Sequence, residues 1–297
     1  MDPTEETRQR PARLAIGVIG AGRVGSVLGA ALRRAGHEVV AVSAVSDASR
    51  DRAAERLPGA RVCEPADVVS AADLVLLTVP DDVLDPLARG LVGTGTRVEG
   101  KLVAHASGRY GYGVLAPLTE AGALPLALHP VMTFTGRPED IDRLANCSFG
   151  VTAPEPLRPI AEALVVEMGA EPVWIAEERR ALYHAALAGG ANHLVTLVAE
   201  SAALLGEAGV DQPARMLGPL LGAALDNALR LGVGGLSGPV VRGDAGTVAE
   251  HIAELRAHSP ESAAAYVALA RLTADRALAA GLLKPQDAER LLDVLQT

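Results

Sequence analysis

The chain has 297 residues, 49% of them hydrophobic and 21% charged, with a formal net charge of -9 at pH 7. That length allows two domains with separate cores, and the acidic balance argues against a general nucleic-acid or anionic-membrane surface, because those partners select a basic footprint. Two cysteines, Cys63 and Cys147, match neither a metal spacing nor a secreted disulfide framework, so no metal is expected and the chain reads as cytoplasmic.

Residues 1–13 are polar and carry both signs of charge, which makes them a flexible arm and not a secretion signal. An apolar strand from Leu14 then runs into GAGRVG at 20–25, followed by a helical pattern over 26–35 that Gly36 closes and a second strand over 37–43. In this strand-helix-strand setting Gly20 permits a tight turn, Gly22 admits a pyrophosphate against bare backbone, and Gly25 lets helix and strand pack closely. The pattern is that of a dinucleotide site whose phosphates rest on a helix N-terminus. The competing reading is a glycine turn that serves packing alone.

The segment 71–80 ends in a nearly continuous apolar strand, as in a parallel sheet buried on both faces, and Asp81-Asp82 open a helix. Strands over 101–105, 124–129, 147–152 and 172–176 complete a doubly wound parallel sheet, with ligands expected at the strands' carboxyl ends. From about Glu177 no strand recurs. Helical periods cover 178–208, 213–232, 245–257 and 260–280, with a short helix after Pro285. The fold class is therefore α/β: a dinucleotide-binding domain over 14–177 and an all-helical domain over 178–297 that binds substrate and forms a homodimer. The dimer is expected because the long alanine-rich first helix has more apolar surface than one short helical domain covers.

The second strand ends at Ser43 with no carboxylate before Asp47, where an NAD site would place an acid on the ribose. Ser43, Ser46, Ser49 and Arg50 suit a 2'-phosphate instead, which favours NADP over NAD. The cofactor-binding candidates are Gly20, Gly22, Arg23, Val24, Gly25, Ser43, Ser46, Arg50, Val79, Pro80 and Ser107. Two strand-end histidines, His105 and His129, lie where a nicotinamide would sit and are suited to proton transfer, with structural hydrogen bonding as the alternative. In the first long helix Asn192 shares a face with Ala185, Ala188, Gly189 and Thr196, whereas Tyr183, His184 and His193 fall on other faces and are expected in core or interface roles. Arg242, near a helix start in LSGPVVRGD at 236–244, suits a substrate carboxylate, or pairs with Asp244 to fix its loop. The catalytic candidates are His105, Ser107, His129, Asn192, Asn227 and Arg242.

Taken together, GAGRVG (20–25), TVPDD (78–82), HASG (105–108), VLAPL (114–118), LHPVMTF (128–134), ALYHAALAGGANHLVTL (181–197), LDNAL (225–229) and LSGPVVRGD (236–244) resemble a bacterial family of Rossmann-like proteins whose C-terminal domain has no assigned function. The resemblance runs from about residue 14 to 280. In architecture the family is similar to ketopantoate reductases, pyrroline-5-carboxylate reductase and the 6-phosphogluconate dehydrogenase group, and its members are often encoded beside pantothenate-synthesis enzymes. It implies a helical second domain of the 6-phosphogluconate dehydrogenase type and an NADP-linked reductase of a small keto acid, with 2-ketopantoate as the first candidate. The alternatives are an imine reductase of the pyrroline-5-carboxylate type and a catalytically silent nucleotide-binding regulator or scaffold. The lysine that β-hydroxyacid dehydrogenases carry a turn before an asparagine has no counterpart in Ala188-Gly-Gly-Ala-Asn192, so their proton-donor assignment does not carry over.

Overall fold

A computed structural model describes residues 13–296. Of the expected arm only Arg13 is among them, paired with Glu167 at 3.5 Å; the rest lies outside the described residues. The chain divides into two compact units between Gly190 and Ala191, within the helix that follows the last strand.

In the first unit, strands β1 (Ala15–Ile19), β2 (Glu38–Ser43), β3 (Arg61–Val62), β4 (Leu74–Leu77), β5 (Leu102–His105), β6 (Leu124–Pro130), β7 (Ser148–Thr152) and β8 (Glu171–Trp174) form one sheet in the order β3-β2-β1-β4-β5-β6-β7-β8. Helices α1 (Arg23–Arg34), α2 (Asp47–Arg56), α3 (Pro65–Ala71), α4 (Asp81–Gly93), α5 (Ala116–Glu120), α6 (Asp140–Leu144) and α7 (Arg158–Glu167) connect them, and α8 (Arg180–Glu207) begins here. β4 and β5 are buried throughout, as the apolar residues of β4 and the Leu102-Val103-Ala104 run of β5 require of strands covered on both faces. One core layer joins Leu28, Leu32, Leu76 and Phe149, and the other joins Val69, Leu84, Leu91 and Leu118.

The six strands β1 to β6 are parallel, and the strand order reverses direction between β1 and β4, which is where a doubly wound sheet opens a crevice. The expected parallel sheet stops there: β7 runs antiparallel to β6, and β8 is parallel to β7. The connection from β6 to β7 contains only the five-residue α6, too short a helix to cross the sheet and return the chain to the edge where β6 began. β3, two exposed residues paired with Ala41 and Val42, has no apolar alternation by which the sequence could announce it.

The second unit contains the rest of α8 with α9 (Pro213–Leu231), α10 (Pro239–Arg242), α11 (Ala245–His258), α12 (Pro260–Ala279) and α13 (Pro285–Gln296). Val248, Ile252, Ala274, Ala277, Leu291 and Leu295 make its core. α9 buries only Leu217, while Met216, Leu220 and Leu229 face outward, as do Leu194 and Val195 of α8. No helix among the described residues is long and apolar enough to cross a membrane.

Candidate active site

The turn after β1 is shaped by three glycines with three different reasons to be glycine. Gly20 adopts φ 95°, and a Cβ there would lie 2.7 Å from the carbonyl oxygen of Thr78. A Cβ on Gly25 would fall inside the contact radii of Thr78 Oγ1 and Gly20 O. At Gly22, φ is -74° and the nearest atom to an added Cβ is Gly20 O at 4.0 Å, so nothing in the protein excludes a side chain. The space is open where a pyrophosphate would rest on the backbone. α1 begins at Arg23 with no side chain capping it and no acid in its first turn, which leaves its N-terminal amides and the positive end of its dipole free for an anion. Val24 is half-buried against the core, while Val79 packs beside Gly20 and Pro80 leads into α4.

Ser43 is buried at the end of β2, and its carbonyl accepts from the amides of Gly20 and Ala21 at 3.0 and 3.1 Å. Ser46 caps α2 through its hydroxyl, which accepts from the Ser49 amide at 3.2 Å. Arg50 pairs with Asp47 at 2.8 Å across an exposed helix face, so the expected phosphate-binding cation already has a weak partner. On the other side of the turn lies the 135–140 loop. The stem of Arg23 passes Gly136, and the buried Arg56 donates to Ser26 Oγ at 3.2 Å and to Gly136 O at 2.6 Å. Buried Asp140 accepts from Thr135 Oγ1 at 2.9 Å and from the Gly136 amide at 2.8 Å.

Beyond β5 and β6 is a second group of polar side chains. His105 is buried and both of its ring nitrogens are used: Nδ1 accepts from the Ser107 amide at 3.2 Å, and Nε2 therefore donates to Gly111 O at 2.8 Å. Burial lowers its pKa to about 4, against the Gly111 bond that raises it, with Arg180 lowering it further. With both nitrogens engaged by the backbone, this geometry matches the structural hydrogen-bonding reading of His105, which shapes the strand-end turn. Ser107 belongs to the same turn, its hydroxyl accepting from the Tyr110 amide at 3.3 Å.

His129 has a different setting. Its Nδ1 lies 2.8 Å from the hydroxyl of Tyr183, and its ring meets those of Tyr183 and His184 edge-on. Its pKa is lowered to about 4, first by burial and then by the charges of Arg180, His184 and His105. Burial raises the Tyr183 pKa, while Arg180 and the Gly150 backbone pull it back. Gly108 and Gly150 make room for the group: a Cβ on Gly108 would approach His184 Cδ2 to 2.5 Å and His129 Nε2 to 2.9 Å, and one on Gly150 would collide with the Tyr183 hydroxyl.

Arg180 is 1% exposed and donates to Thr152 Oγ1 at 2.9 Å and to the carbonyls of Ala127 and Gly150 at 3.1 and 3.2 Å. Its NH1 is buried with no partner, and burial lowers its pKa. Glu177 contributes charge nearby, but its two oxygens accept from the amides of Tyr112 and Gly113 at 3.0 and 2.9 Å.

Tyr183 and His184, expected in core or interface roles, thus stand with His129, and Arg180 was not singled out at all. The cause is the division of α8: its first turns belong to the sheet unit, so one helical wheel drawn over the whole helix mixes two environments. Asn192, Asn227 and Arg242 are exposed residues of the second unit, on α8, α9 and α10. Arg242 ends α10 and does not begin a longer helix. Asp244 caps α11, accepting from the Thr247 amide at 3.1 Å and its hydroxyl at 2.7 Å. The expected carboxylate site of arginine plus amides is therefore reduced to the guanidinium, since the chain's own carboxylate occupies the helix start.

Residues 1–130 match the Rossmann-like domain family, and residues 147–273 match the domain of unknown function DUF2520. A search of curated proteins gives no match. Among solved structures, a Thermotoga maritima protein aligns over 89% of this chain and 99% of its own at 20% identity and TM-score 0.68. A reductive aminase from Aspergillus terreus, in complex with NADPH and ethyl levulinate, aligns over 95% and 99% at 16% identity and TM-score 0.66. An imine reductase from Pseudomonas sp. aligns over 96% and 100% at 22% identity and TM-score 0.62. At these identities the likeness is one of fold.

Proposed function

We propose, for a chain that joins a Rossmann-like domain to a DUF2520 domain, an NADP-dependent oxidoreductase that reduces the carbonyl of a small keto acid by hydride transfer. The observation that carries this reading is the turn at 20–25: Gly22 is open to a Cβ on the protein's side, and the uncapped start of α1 offers amides to a diphosphate. The residues fit the cofactor. Gly20, Gly22 and Gly25 with the first-turn amides of Arg23 and Val24 would hold the pyrophosphate, and Val79 and Pro80 would flank it. Ser43 would stand near the ribose, and Ser46 and Arg50 would take the 2'-phosphate once Arg50 leaves Asp47. When bound, a nicotinamide supplies the hydride.

The chain's own groups do the rest. Within the helical unit Arg242 is the group for a substrate carboxylate, with Asn192 and Asn227 as polar groups that can orient it, and within the sheet unit the Ser107 turn supports the ring-binding edge. A small 2-keto acid is the substrate of choice, with 2-ketopantoate first to be tried and a cyclic imine of the pyrroline-5-carboxylate type second. The fold shared with imine reductases favours that second class. A third reading, a silent nucleotide-binding regulator, draws on the absence of a lysine from Ala188-Gly-Gly-Ala-Asn192. The protein works as a homodimer in the cytoplasm; the outward apolar residues of α8 and α9 support the dimer, and two free thiols suit a reducing compartment.

Titration of the purified chain with NADPH and NADH, followed by an anaerobic screen of NADPH oxidation with small keto acids and cyclic imines, tests the proposal. Binding of neither cofactor refutes it. NADPH binding without turnover favours the regulator.

A further inference from the structure

The pair His129–Tyr183 bears on which bond is reduced, and the argument rests on the reductase reading above. The Tyr183 hydroxyl has one hydrogen to give and two lone pairs to fill. His129 Nδ1 lies 2.8 Å from that oxygen. Arg180 stands with its guanidinium carbon 5.7 Å from the centre of the Tyr183 ring, and its positive field favours the arrangement that leaves most negative charge on the phenol oxygen. That arrangement has Nδ1–H of His129 donating to Tyr183, which turns the tyrosine hydrogen outward.

The groups that act on His129 are Arg180, His184 and His105, and those on Tyr183 are Arg180, the Gly150 backbone and Cys147. None is a carboxylate. Glu177, the acid felt by Arg180, has both oxygens tied to the 112–113 amides. The Arg180 charge favours an oxygen that becomes negative, against the burial that raises the Tyr183 pKa, and it repels a cationic nitrogen.

We infer that Tyr183 delivers the proton in this reaction and that the bond reduced is a carbonyl, whose developing oxyanion the Arg180 charge stabilises, in preference to an iminium. The carbonyl carbon accepts the hydride and its two electrons from the dihydronicotinamide, which is oxidised. The C–O π pair moves to oxygen, and the O–H of Tyr183 protonates it. The phenolate recovers a proton from Nδ1 of His129 while Nε2 takes one up from solvent. An iminium, already protonated, gives a neutral amine on hydride addition and has no use for this donor. Tyr183 is the catalytic residue of the set, and His129 and Arg180 are positioning residues.

The test combines nitrogen NMR of histidine-labelled protein with kinetics of the full chain and Tyr183→Phe, on a panel of 2-keto acids including 2-ketopantoate and on 1-pyrroline-5-carboxylate. We expect His129 at pH 7 to be neutral with its proton on Nδ1. We expect 2-keto acids to exceed the imine at least tenfold in kcat/KM. Tyr183→Phe should lower keto-acid kcat about a hundredfold, with KM within threefold and the NADPH dissociation constant within twofold. A proton on Nε2, undiminished keto-acid turnover in Tyr183→Phe, or a preference for the imine each overturns the inference, and the last two leave the reductase reading intact. Failure to bind NADPH, or binding with neither class reduced, overturns the reductase reading itself and this assignment with it.

Discussion

Replacing Gly22 with alanine separates a glycine kept for a ligand from one kept for packing. The residue has φ -74° and ψ -158°, which alanine adopts without strain, and the nearest atom to the new Cβ is 4.0 Å away. Fewer unfolded-state conformations then stabilise the fold by about 0.4–1 kcal/mol, a rise in Tm of about 1–4 °C for a protein of this size. On the ligand side the methyl occupies the space of the pyrophosphate. Loss of one charge-assisted amide–phosphate bond costs about 1.5–3 kcal/mol, so the NADPH dissociation constant should rise roughly ten- to hundredfold. Nicotinamide fluorescence titration and a thermal melt measure the two effects on one sample. Gly25→Ala is the counter-case: its Cβ would collide with Thr78 and Gly20, and overpacking of about 1–3 kcal/mol should lower Tm by several degrees. Unchanged NADPH affinity in Gly22→Ala would refute the phosphate assignment, and a loss of several degrees in its Tm would make the glycine a packing residue.

Three further outcomes follow from geometry. Arg50→Ala should narrow the preference for NADPH over NADH about tenfold, while Asp47→Asn, which frees Arg50 from its 2.8 Å partner, should widen it by a few fold; isothermal titration with both cofactors measures the ratios, and equal affinities in the wild type would remove the basis for both. The buried histidines make the fold acid-sensitive. His105 and His129 have folded pKa values of about 4, below the unfolded value near ~6.5, so their stabilisation is complete above that pH and is lost as pH falls towards 4. Each contributes a slope on the order of 1 kcal/mol per pH unit there, and His105→Gln should flatten the dependence of unfolding free energy on pH; an unaltered slope would place the acid sensitivity elsewhere. The homodimer should persist at micromolar concentration in sedimentation velocity and dissociate in Leu220→Asp, because α9 directs Leu220 outward; a monomeric wild type contradicts it.

The architecture was legible because period and punctuation agree. The glycines at 20–25 open α1, the apolar run ending at Leu77 is β4, and α8, α9, α11 and α12 begin and end within a few residues of the sequence expectation. Strand direction was not legible: the residues of β7 alternate in the same way whichever way the strand runs, and only the short α6 before it decides. The site was half legible. His129 was visible as a strand-end histidine, but its partner comes from α8, 54 residues on, and no spacing rule links them. His105 looked equivalent to His129 because a sequence does not display the turn that occupies both of its nitrogens. Asp47 and Asp244 were visible as residues but not as competitors for Arg50 and for the start of α11.

The 135–140 loop has a consequence for how fast a cofactor settles. Arg56 and Asp140 hold Thr135 and Gly136 against the start of α1 from two sides, so this wall beside the glycine turn is in place before anything arrives. Ordering a free loop costs about 1–2 kcal/mol per residue, and a loop that closes after encounter adds a slow unimolecular step. Here that ordering is completed during folding. Stopped-flow mixing with NADPH should therefore give a single exponential whose rate rises linearly with concentration and does not level off, and association should be limited by encounter and orientation.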